Sequence, residues 1–310
     1  MKWKPRKKSS GDVIDIRGAE QPRGRAASGG LSGLSIPGGA IGGIGGTAGV
    51  IVTLVIVAIQ IFGGGSVAGF DVGQVLGSGA TPPGAEDPQP LPPGQDPQRE
   101  FYEFSEYVFD DTQRTWKSSF KSDGENYEDA KLVVYDAAVS TGGCGDATSA
   151  VGPFYCPADS MVYLDLTFYE DMERQLGGGG DFAWAYVIAH EMGHHVQNVL
   201  GTNDRVASLV KDDPDSANEL SVRTELQADC YAGVWAATVF AEGDLQAGDL
   251  DEAFDTAEAI GDDRLQEQAG QSVNPDSFTH GSAEQRRKWF EEGYLSADPS
   301  ACDTFSPDSV

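Results

Sequence analysis

The chain of 310 residues is poor in the residue types that most often bind metals, with only four histidines and four cysteines. It contains no C-x-x-C spacing, which argues against a cysteine-ligated zinc site. It has no D-x-D-x-D-G loop either, so no calcium-binding loop is predicted. No internal repeat is evident, and a repeat architecture is therefore not expected.

Basic residues are scarce after residue 62, where 13 Lys and Arg stand against 46 Asp and Glu. The formal net charge of the whole chain is −28. Such a surface repels nucleic acid and anionic membrane faces, so no nucleic-acid partner is predicted. We interpret the acidity as a property of a soluble, heavily hydrated exterior or as an adaptation to salt.

The first part of the chain has the opposite character. Residues 1–40 carry eight Lys and Arg against three acidic residues, and they contain almost no apolar clusters, so we expect a disordered basic tail. Residues 44–62 contain no charge and are just long enough, at about 19 residues, to span a bilayer. A soluble core helix would carry a polar face, which this segment lacks.

A cleaved signal peptide is the alternative to a membrane anchor, since residues 66–68 resemble a small-residue cleavage site. The basic region before it would then be some 40 residues long, far beyond the usual form. We therefore predict one uncleaved transmembrane helix over 44–62, with the basic N-terminus in the cytoplasm and the C-terminal part outside it.

Residues 63–99 are rich in Gly and then in Pro, which predicts a semi-extended stalk. A folded domain is expected over 100–305. Its apolar spacing predicts an α+β fold, dominated by helices, with a small sheet before the central helix. The predicted strands are 131–135 and 161–166, and the predicted helices are 101–120, 167–176, 181–201, 216–240, 250–260, 262–269 and 283–291. Asp181 is predicted as an N-cap, residues 202–215 as a loop, and Ser216 with Glu219 as a capping box.

All four cysteines lie in the part of the chain predicted to be outside the cytoplasm. An even number in an oxidising compartment indicates two disulfides, for which three pairings exist. The short Gly- and Pro-containing loop between them favours Cys144–Cys156. That pairing leaves Cys230–Cys302, which would tie the C-terminal tail to a helix.

Three of the four histidines lie within residues 190–198. His190, Glu191 and His194 form an H-E-x-x-H motif, in which two histidines four apart share one helix face and can bind one zinc ion. The apolar run 182–189 predicts that this helix is buried. A buried helix does not carry two histidines and a glutamate without partners, so we predict a metal site.

A catalytic zinc ion usually has three protein ligands, and two residues are candidates for the third. His280 is the only distant histidine. Glu225 lies four residues before Asp229 in an otherwise apolar helix, so both carboxylates point the same way. Two carboxylates on a buried face need a cation or hydrogen-bond donors, whereas a solvated i,i+4 pair would have polar neighbours.

The H-E-x-x-H motif followed by Glu225-x-x-Ala228-Asp229 resembles the glutamate zincins, and in particular the bacterial putative neutral zinc metallopeptidases, the YpfJ-like family. Further matching segments are residues 155–157, 180–183 and 280–286. The resemblance implies a helix-rich, zincin-like metalloprotease domain in which His190, His194 and Glu225 bind Zn²⁺. It also implies that Glu191 is the general base, that Asp229 orients a histidine, and that His280 and Arg286 lie near the substrate or its oxyanion.

Other residues near the motif are given smaller roles. Asn198 shares a helix face with His194 and is expected at the edge of the site, while His195 points away and is expected to be structural. Gly193 is expected to let another element pack close to the helix. By analogy with zincins, Val162, Tyr163 and Leu164 are expected to bind the substrate as an added strand.

The leading hypothesis is a membrane-anchored zinc endopeptidase that cleaves a peptide or protein substrate outside the cytoplasmic membrane. One alternative is a non-catalytic surface protein that keeps the zincin fold as a scaffold, and its signature would be a missing ligand or base. Another is a zinc-dependent amidase that acts on cell-wall material.

Overall fold

The structure is a computed structural model, and it describes residues 1–5, 11–18, 94–136, 138–172, 174, 179–306 and 310. The predicted anchor over 44–62 lies outside these residues, as do most of the predicted tail and stalk. Among the helices of the described ranges, none combines the length and the apolar character that a membrane crossing requires. The anchor therefore stays a prediction.

The main sheet is four-stranded, with the order β1-β2-β6-β5. Its strands are β1 (Val13–Asp15), β2 (Lys131–Tyr135), β5 (Phe154–Cys156) and β6 (Met161–Asp165). β1, β2 and β6 run parallel, and β5 is antiparallel to β6 and forms an edge of the sheet. A small sheet before the central helix is thus confirmed.

β6 has no free edge, since β2 pairs with one side of it and β5 with the other. The side chains of Val162, Tyr163 and Leu164 are also buried. The prediction that these three residues bind substrate by strand addition is therefore wrong. The pairing partner of β6 could not be foreseen because β5, with three residues, carries too short a pattern to be recognised as a strand.

A short hairpin and a disulfide lie beside the sheet. β3 (Ala138–Ser140) and β4 (Asp146–Thr148) are antiparallel and are followed by a 3₁₀ turn over Ser149–Val151. The Cys144–Cys156 disulfide links the hairpin loop to β5, with the two Cα atoms 5.9 Å apart. The predicted short pairing is confirmed.

The start of the chain belongs to the folded domain. β1 extends the sheet through a three-residue register with β2. Arg17 is only 2% exposed and forms ion pairs with Asp15 at 2.8 Å and with Asp96 at 2.9 Å. The disorder expected over 1–40 is therefore wrong for residues 11–18, because the partners that make this segment fold lie more than a hundred residues away in β2, and at Asp96.

The helices account for most of the domain. They are α1 (Arg99–Asp123), α2 (Phe168–Asp171), α3 (Asp181–Val199), α4 (Thr202–Asp212), α5 (Ala217–Glu242), α6 (Asp249–Ala259), α7 (Asp262–Gln268) and α8 (Ala283–Ser296). Short 3₁₀ turns cover Pro214–Ser216, Pro275–Ser277 and Pro299–Ala301. These bounds confirm the helix-rich α+β class, and the helix predicted over 167–176 is confirmed at Phe168–Asp171.

Several helix ends differ from the prediction. Gly180 is the N-cap of α3, and Asp181 is the first helical residue and makes no capping bond. Residues 202–212 form α4 instead of a loop. Ser216 precedes α5 but caps it with no side-chain bond, since its hydroxyl donates to the carbonyl of Asp213. A capping box is present before α8, at Ser282 and Gln285.

The backbones of helices α5 and α8 approach each other very closely. A Cβ atom at Gly233 of α5 would lie 2.0 Å from the carbonyl oxygen of Phe290 in α8. A Cβ at Gly293 of α8 would lie 1.9 Å from the carbonyl oxygen of Cys230. Only glycine permits this approach. The Cys230–Cys302 disulfide, also as predicted, fixes the C-terminal segment to α5.

Candidate metal centre

The centre is built on one face of the buried helix α3. His190 and His194 are four residues apart and share one face, and Glu191, three residues before His194, borders that face. Opposite them, α5 comes close because a Cβ at Gly193 would lie 2.9 Å from the carbonyl oxygen of Ala228. This contact confirms the close approach predicted at Gly193, and it brings Glu225 over the motif.

Three side chains converge at this point. His190 Nε2 lies 3.2 Å from Glu225 Oε2, and His194 Nε2 lies 3.5 Å from Glu225 Oε1. All three candidate ligand atoms lie within 4.8 Å of one another. A tetrahedral zinc ion with ligands at roughly 2.0–2.2 Å requires ligand atoms about 3.3–3.6 Å apart. The distances of 3.2 and 3.5 Å are close to that requirement, and a set of two imidazoles and one carboxylate suits zinc.

Asp229 holds His190 in the orientation that a metal ligand needs. Its Oδ1 accepts a hydrogen bond from His190 Nδ1 at 2.8 Å, which leaves the Nε2 lone pair free for a metal. The same oxygen accepts from Tyr186 Oη at 2.6 Å and from Arg286 Nη2 at 3.0 Å. Asp229 has no exposed surface. Arg286 therefore lies behind the ligand, where it balances the charge of Asp229.

Gln197 orients His194 in the same way that Asp229 orients His190. Its Oε1 accepts a hydrogen bond from His194 Nδ1 at 2.9 Å. The amide orientation is fixed because Gln197 Nε2 donates to the carbonyl of Thr224 at 2.7 Å. Gln227 continues this chain of hydrogen bonds to the carbonyl of Cys302. Both histidines thus present Nε2 to Glu225.

The charges of these groups are strongly coupled. Burial alone would lower the pKa of His190, but the charge of Asp229 and hydrogen bonds to Asp229 and Glu225 raise it to about 10. Burial would raise the pKa of Glu225, but the charge of His194 and hydrogen bonds from both histidines hold it well below its usual value. The metal-free site therefore stabilises a positive charge next to the Glu225 carboxylate, and a metal cation can supply that charge in place of protons.

Glu191 lines the same cavity but is not one of the ion-pair partners of His190 and His194. Burial raises the pKa of its carboxyl group, the nearby charges of His194 and His190 oppose that rise, and Glu225 adds to it. The backbone N–H of Tyr155, in β5, donates to this carboxylate. A carboxylate with a raised pKa is a better proton acceptor than one in water.

His280 approaches the centre from the segment before α8. Its Nδ1 lies 3.3 Å from Asp262 Oδ1 and 3.0 Å from Thr279 Oγ1, which leaves Nε2 as its uncommitted ring nitrogen. Burial would lower the pKa of His280, but Asp262 and the charge of Glu225 raise it. Asp262 also accepts the backbone N–H groups of Thr279 and His280, at 2.6 and 2.7 Å.

The centre opens into a cavity of about 140 Å³. His190, Glu191, His194, Glu225 and His280 line one part of it, and Arg286 also reaches its wall. The remaining wall is mostly apolar and comes from β5, α3, the end of α6 and α7. The arrangement combines a metal-ligand set, a proton acceptor and an accessible space, which together suit hydrolysis.

A profile of the family described as "Putative neutral zinc metallopeptidase" matches residues 1–305. The chain belongs to this family. The protein YpfJ of Escherichia coli (strain K12), itself described as uncharacterized, is 42% identical over 310 residues, which cover 98% of this chain and 99% of the relative. The predicted resemblance is thereby confirmed.

A second relative is an uncharacterized protein of Mycobacterium tuberculosis (strain H37Rv). It is 47% identical over 191 residues, which cover 58% of this chain and 64% of the relative. No solved structure matches the chain.

Asn198 and His195, which follow the motif in this family member, both form hydrogen bonds to Tyr155 of β5. Asn198 Nδ2 donates to Tyr155 Oη at 3.0 Å. His195 Nδ1 accepts from the same hydroxyl at 3.0 Å, while its Nε2 donates to the carbonyl of Glu128 at 2.7 Å. Neither contacts the candidate ligands, so their role is to fix the edge strand beside the site.

Three residues around the ligands were not recognised from the sequence. Gln197 follows His194 by three residues and Tyr186 precedes His190 by four, so helical spacing alone could have placed both on the ligand face. Asp262 lies 18 residues from His280, and no local pattern connects them.

A second acidic group lies at the start of α3. Asp181, Asp249 and Glu252 bring carboxylate oxygens within 4.8 Å of one another. The amino group of Met1 lies between two of them, at 2.6 Å from Asp181 and 3.3 Å from Asp249, and Glu252 accepts the backbone N–H of Phe182. These contacts occupy the group, and no metal site is assigned to it.

Proposed function

We propose that this chain is a zinc-dependent peptidase in which His190, His194 and Glu225 bind the ion. The observation that carries the proposal is the convergence of these three ligand atoms, beside Glu191, on a cavity open to a substrate. When bound, zinc would polarise the scissile carbonyl and lower the pKa of a water molecule.

We assign separate roles in the reaction to Glu191, His280 and Arg286. Glu191 accepts a proton from the attacking water and later delivers it to the leaving amine, and its raised pKa suits both steps. His280, held through Nδ1 by Asp262, presents Nε2 to the negative charge that develops on the carbonyl oxygen. Arg286, which was assigned with His280 from the resemblance, acts instead as a positioning residue through Asp229.

The proposed place of action is outside the cytoplasm. Two disulfides support it, because they form and persist in oxidising compartments and are rare in the cytosol. Peptide or protein substrates are proposed because of the family to which the chain belongs.

Metal analysis and cleavage of a broad peptide library test the proposal. Wild-type protein should contain about one zinc ion per chain and cleave peptides. Glu191→Gln should keep the zinc and lose cleavage, because it removes the proton acceptor but no ligand. Glu225→Gln should lose zinc affinity as well. Glu284→Gln, an exposed change in the first turn of α8, is the matched control and should match wild type.

Each alternative function has its own outcome in this experiment. Stoichiometric zinc without cleavage of any peptide would favour the scaffold function. Cleavage of cell-wall amides but not of peptides would favour the amidase. Zinc that binds unchanged to Glu225→Gln would refute Glu225 as the third ligand, and His280 would be tested next.

A further inference from the structure

The apolar part of the cavity is lined by side chains from several helices and from strand β5. Val187 lies one helical turn before His190 on the same face of α3, so its side chain borders the ligands directly. Phe154 of β5, Ile260 at the end of α6 and Leu265 of α7 also line the cavity. Phe154, Val187 and Leu265 are all less than a tenth exposed.

Among the described residues that line this apolar part, no charged group is free to serve a ligand. Thr256 is its buried polar residue, and the Thr256 hydroxyl already donates to the carbonyl of Glu252 at 2.8 Å. Arg286, the one Lys or Arg among the described lining residues, is paired with Asp229. A charged substrate side chain here would lose its water without gaining a partner, which disfavours it strongly.

The size of the cavity limits what can enter. Its volume of about 140 Å³ is close to that of an apolar cavity of roughly 150 Å³ that binds one benzene molecule. This volume includes the space beside the candidate ligands, so the apolar part has room for at most one Phe- or Leu-sized side chain, and an Ala side chain fills less of it.

We infer that this cavity is the specificity pocket of the proposed peptidase and that it selects peptides with one large apolar residue beside the scissile bond. The inference rests on the proposed function. Ile260 lines the cavity and is only partly buried, so its side chain can change size with less disturbance than that of a core residue.

Two substitutions at one position should change the preference in opposite directions. Wild-type protein should cleave peptides with Phe or Leu at the selected position at least about 10-fold better, in kcat/KM, than peptides with Ala, and should reject Asp there. Ile260→Ala should extend the preference to Trp. Ile260→Trp should reverse it in favour of Ala or Gly. Leu209→Trp, an exposed change on α4 away from the cavity, is the matched control.

A binding measurement separates the pocket from the catalytic step. Glu191→Gln should bind fluorescent Phe-containing peptides more tightly than the same peptides with Ala, as measured by anisotropy. Leu265→Ala provides a second enlarged pocket should Ile260→Trp fail to fold. Far-ultraviolet circular dichroism identifies such a failure.

The outcomes are distinguishable. Cleavage without side-chain preference, or a preference that neither Ile260→Ala nor Leu265→Ala alters, would overturn the pocket assignment and leave the peptidase proposal intact. Preferential binding of Phe peptides without any cleavage by the wild type would support the pocket assignment and overturn the peptidase proposal. If the zinc-loaded wild type neither binds nor cleaves peptides, both proposals fail.

Discussion

Asp229→Asn tests the charge balance on which the candidate metal centre rests. Asp229 is fully buried and Arg286 is 2% exposed, so the substitution leaves a buried guanidinium without its counter-charge. Breaking a buried pair in this way costs about 3–5 kcal/mol of unfolding free energy. His190 also loses its carboxylate partner, and we expect zinc affinity to fall about 10- to 100-fold.

The double variant Asp229→Asn/Arg286→Met separates these two effects. Removal of the unpaired guanidinium should recover most of the lost stability, because an apolar side chain tolerates the same surroundings. Zinc affinity should stay low, since His190 Nδ1 still lacks its carboxylate. Urea unfolding of metal-free full-length protein measures the first quantity, and competition with a chromophoric chelator measures the second.

The exposed pair Glu258–Arg287 provides a matched control on the same helix as Arg286. Its N–O distance is 2.6 Å, but its two side chains are 32% and 45% exposed. Glu258→Gln should therefore cost less than about 1 kcal/mol. An Asp229→Asn cost as small as that of Glu258→Gln, or a double variant no more stable than the single one, would refute the reasoning about the buried charge.

Three further predictions concern the surroundings of the site. Gln197→Ala should reduce zinc affinity by about 10-fold or more, by chelator competition, because His194 Nδ1 loses its acceptor. Removal of Cys230–Cys302, which closes a loop of 72 residues, should cost roughly 4 kcal/mol in urea unfolding, against roughly 3 kcal/mol for Cys144–Cys156 with 12. Asp262→Asn should lower kcat/KM without loss of zinc. Although burial opposes it, hydrogen bonds from His280 and from backbone N–H groups lower the pKa of Asp262, so its stabilisation is complete above pH 3.8 and is lost at lower pH.

Each of these predictions has a contrary result. Exposed Gln271→Ala is the control for Gln197→Ala, and equal zinc affinities for the two would show that the hydrogen bond to His194 has no effect. Equal costs for the two disulfides would contradict the loop-length argument. A stability difference between wild type and Asp262→Asn that grows as the solution is acidified would have the wrong sign.

The ligand face of α3 could be predicted because its residues are close together in the sequence. His190, Glu191 and His194 lie within five residues, and helical periodicity places them together. Glu225 and Asp229 were recognisable in the same way, as two carboxylates four apart in an apolar helix. Their predicted burial is confirmed at 8% and 0% exposure.

The remainder depended on pairings between distant segments. α4 was missed because its apolar residues at helical spacing are only Val206, Leu209 and Val210, of which Val206 alone is buried, so the signal is short and weak. The capping box at Ser216 failed because two other local bonds compete with it, one from Ser216 to Asp213 and one between Glu219 and Arg223. The partner of His280 and the free edge of β5 follow from tertiary packing alone.

The pairing of β1 with β2 also constrains how the chain can meet a membrane. Arg17, buried between Asp15 and Asp96, joins the two ends of the segment 19–93 at one place in the fold. A single crossing within that segment would separate β1 from β2 by the thickness of a bilayer. A cysteine pair at the register partners Ile14 and Val133 would detect their contact in intact cells. The predicted single crossing over 44–62 and the pairing of β1 with β2 therefore make opposite predictions for this cysteine pair.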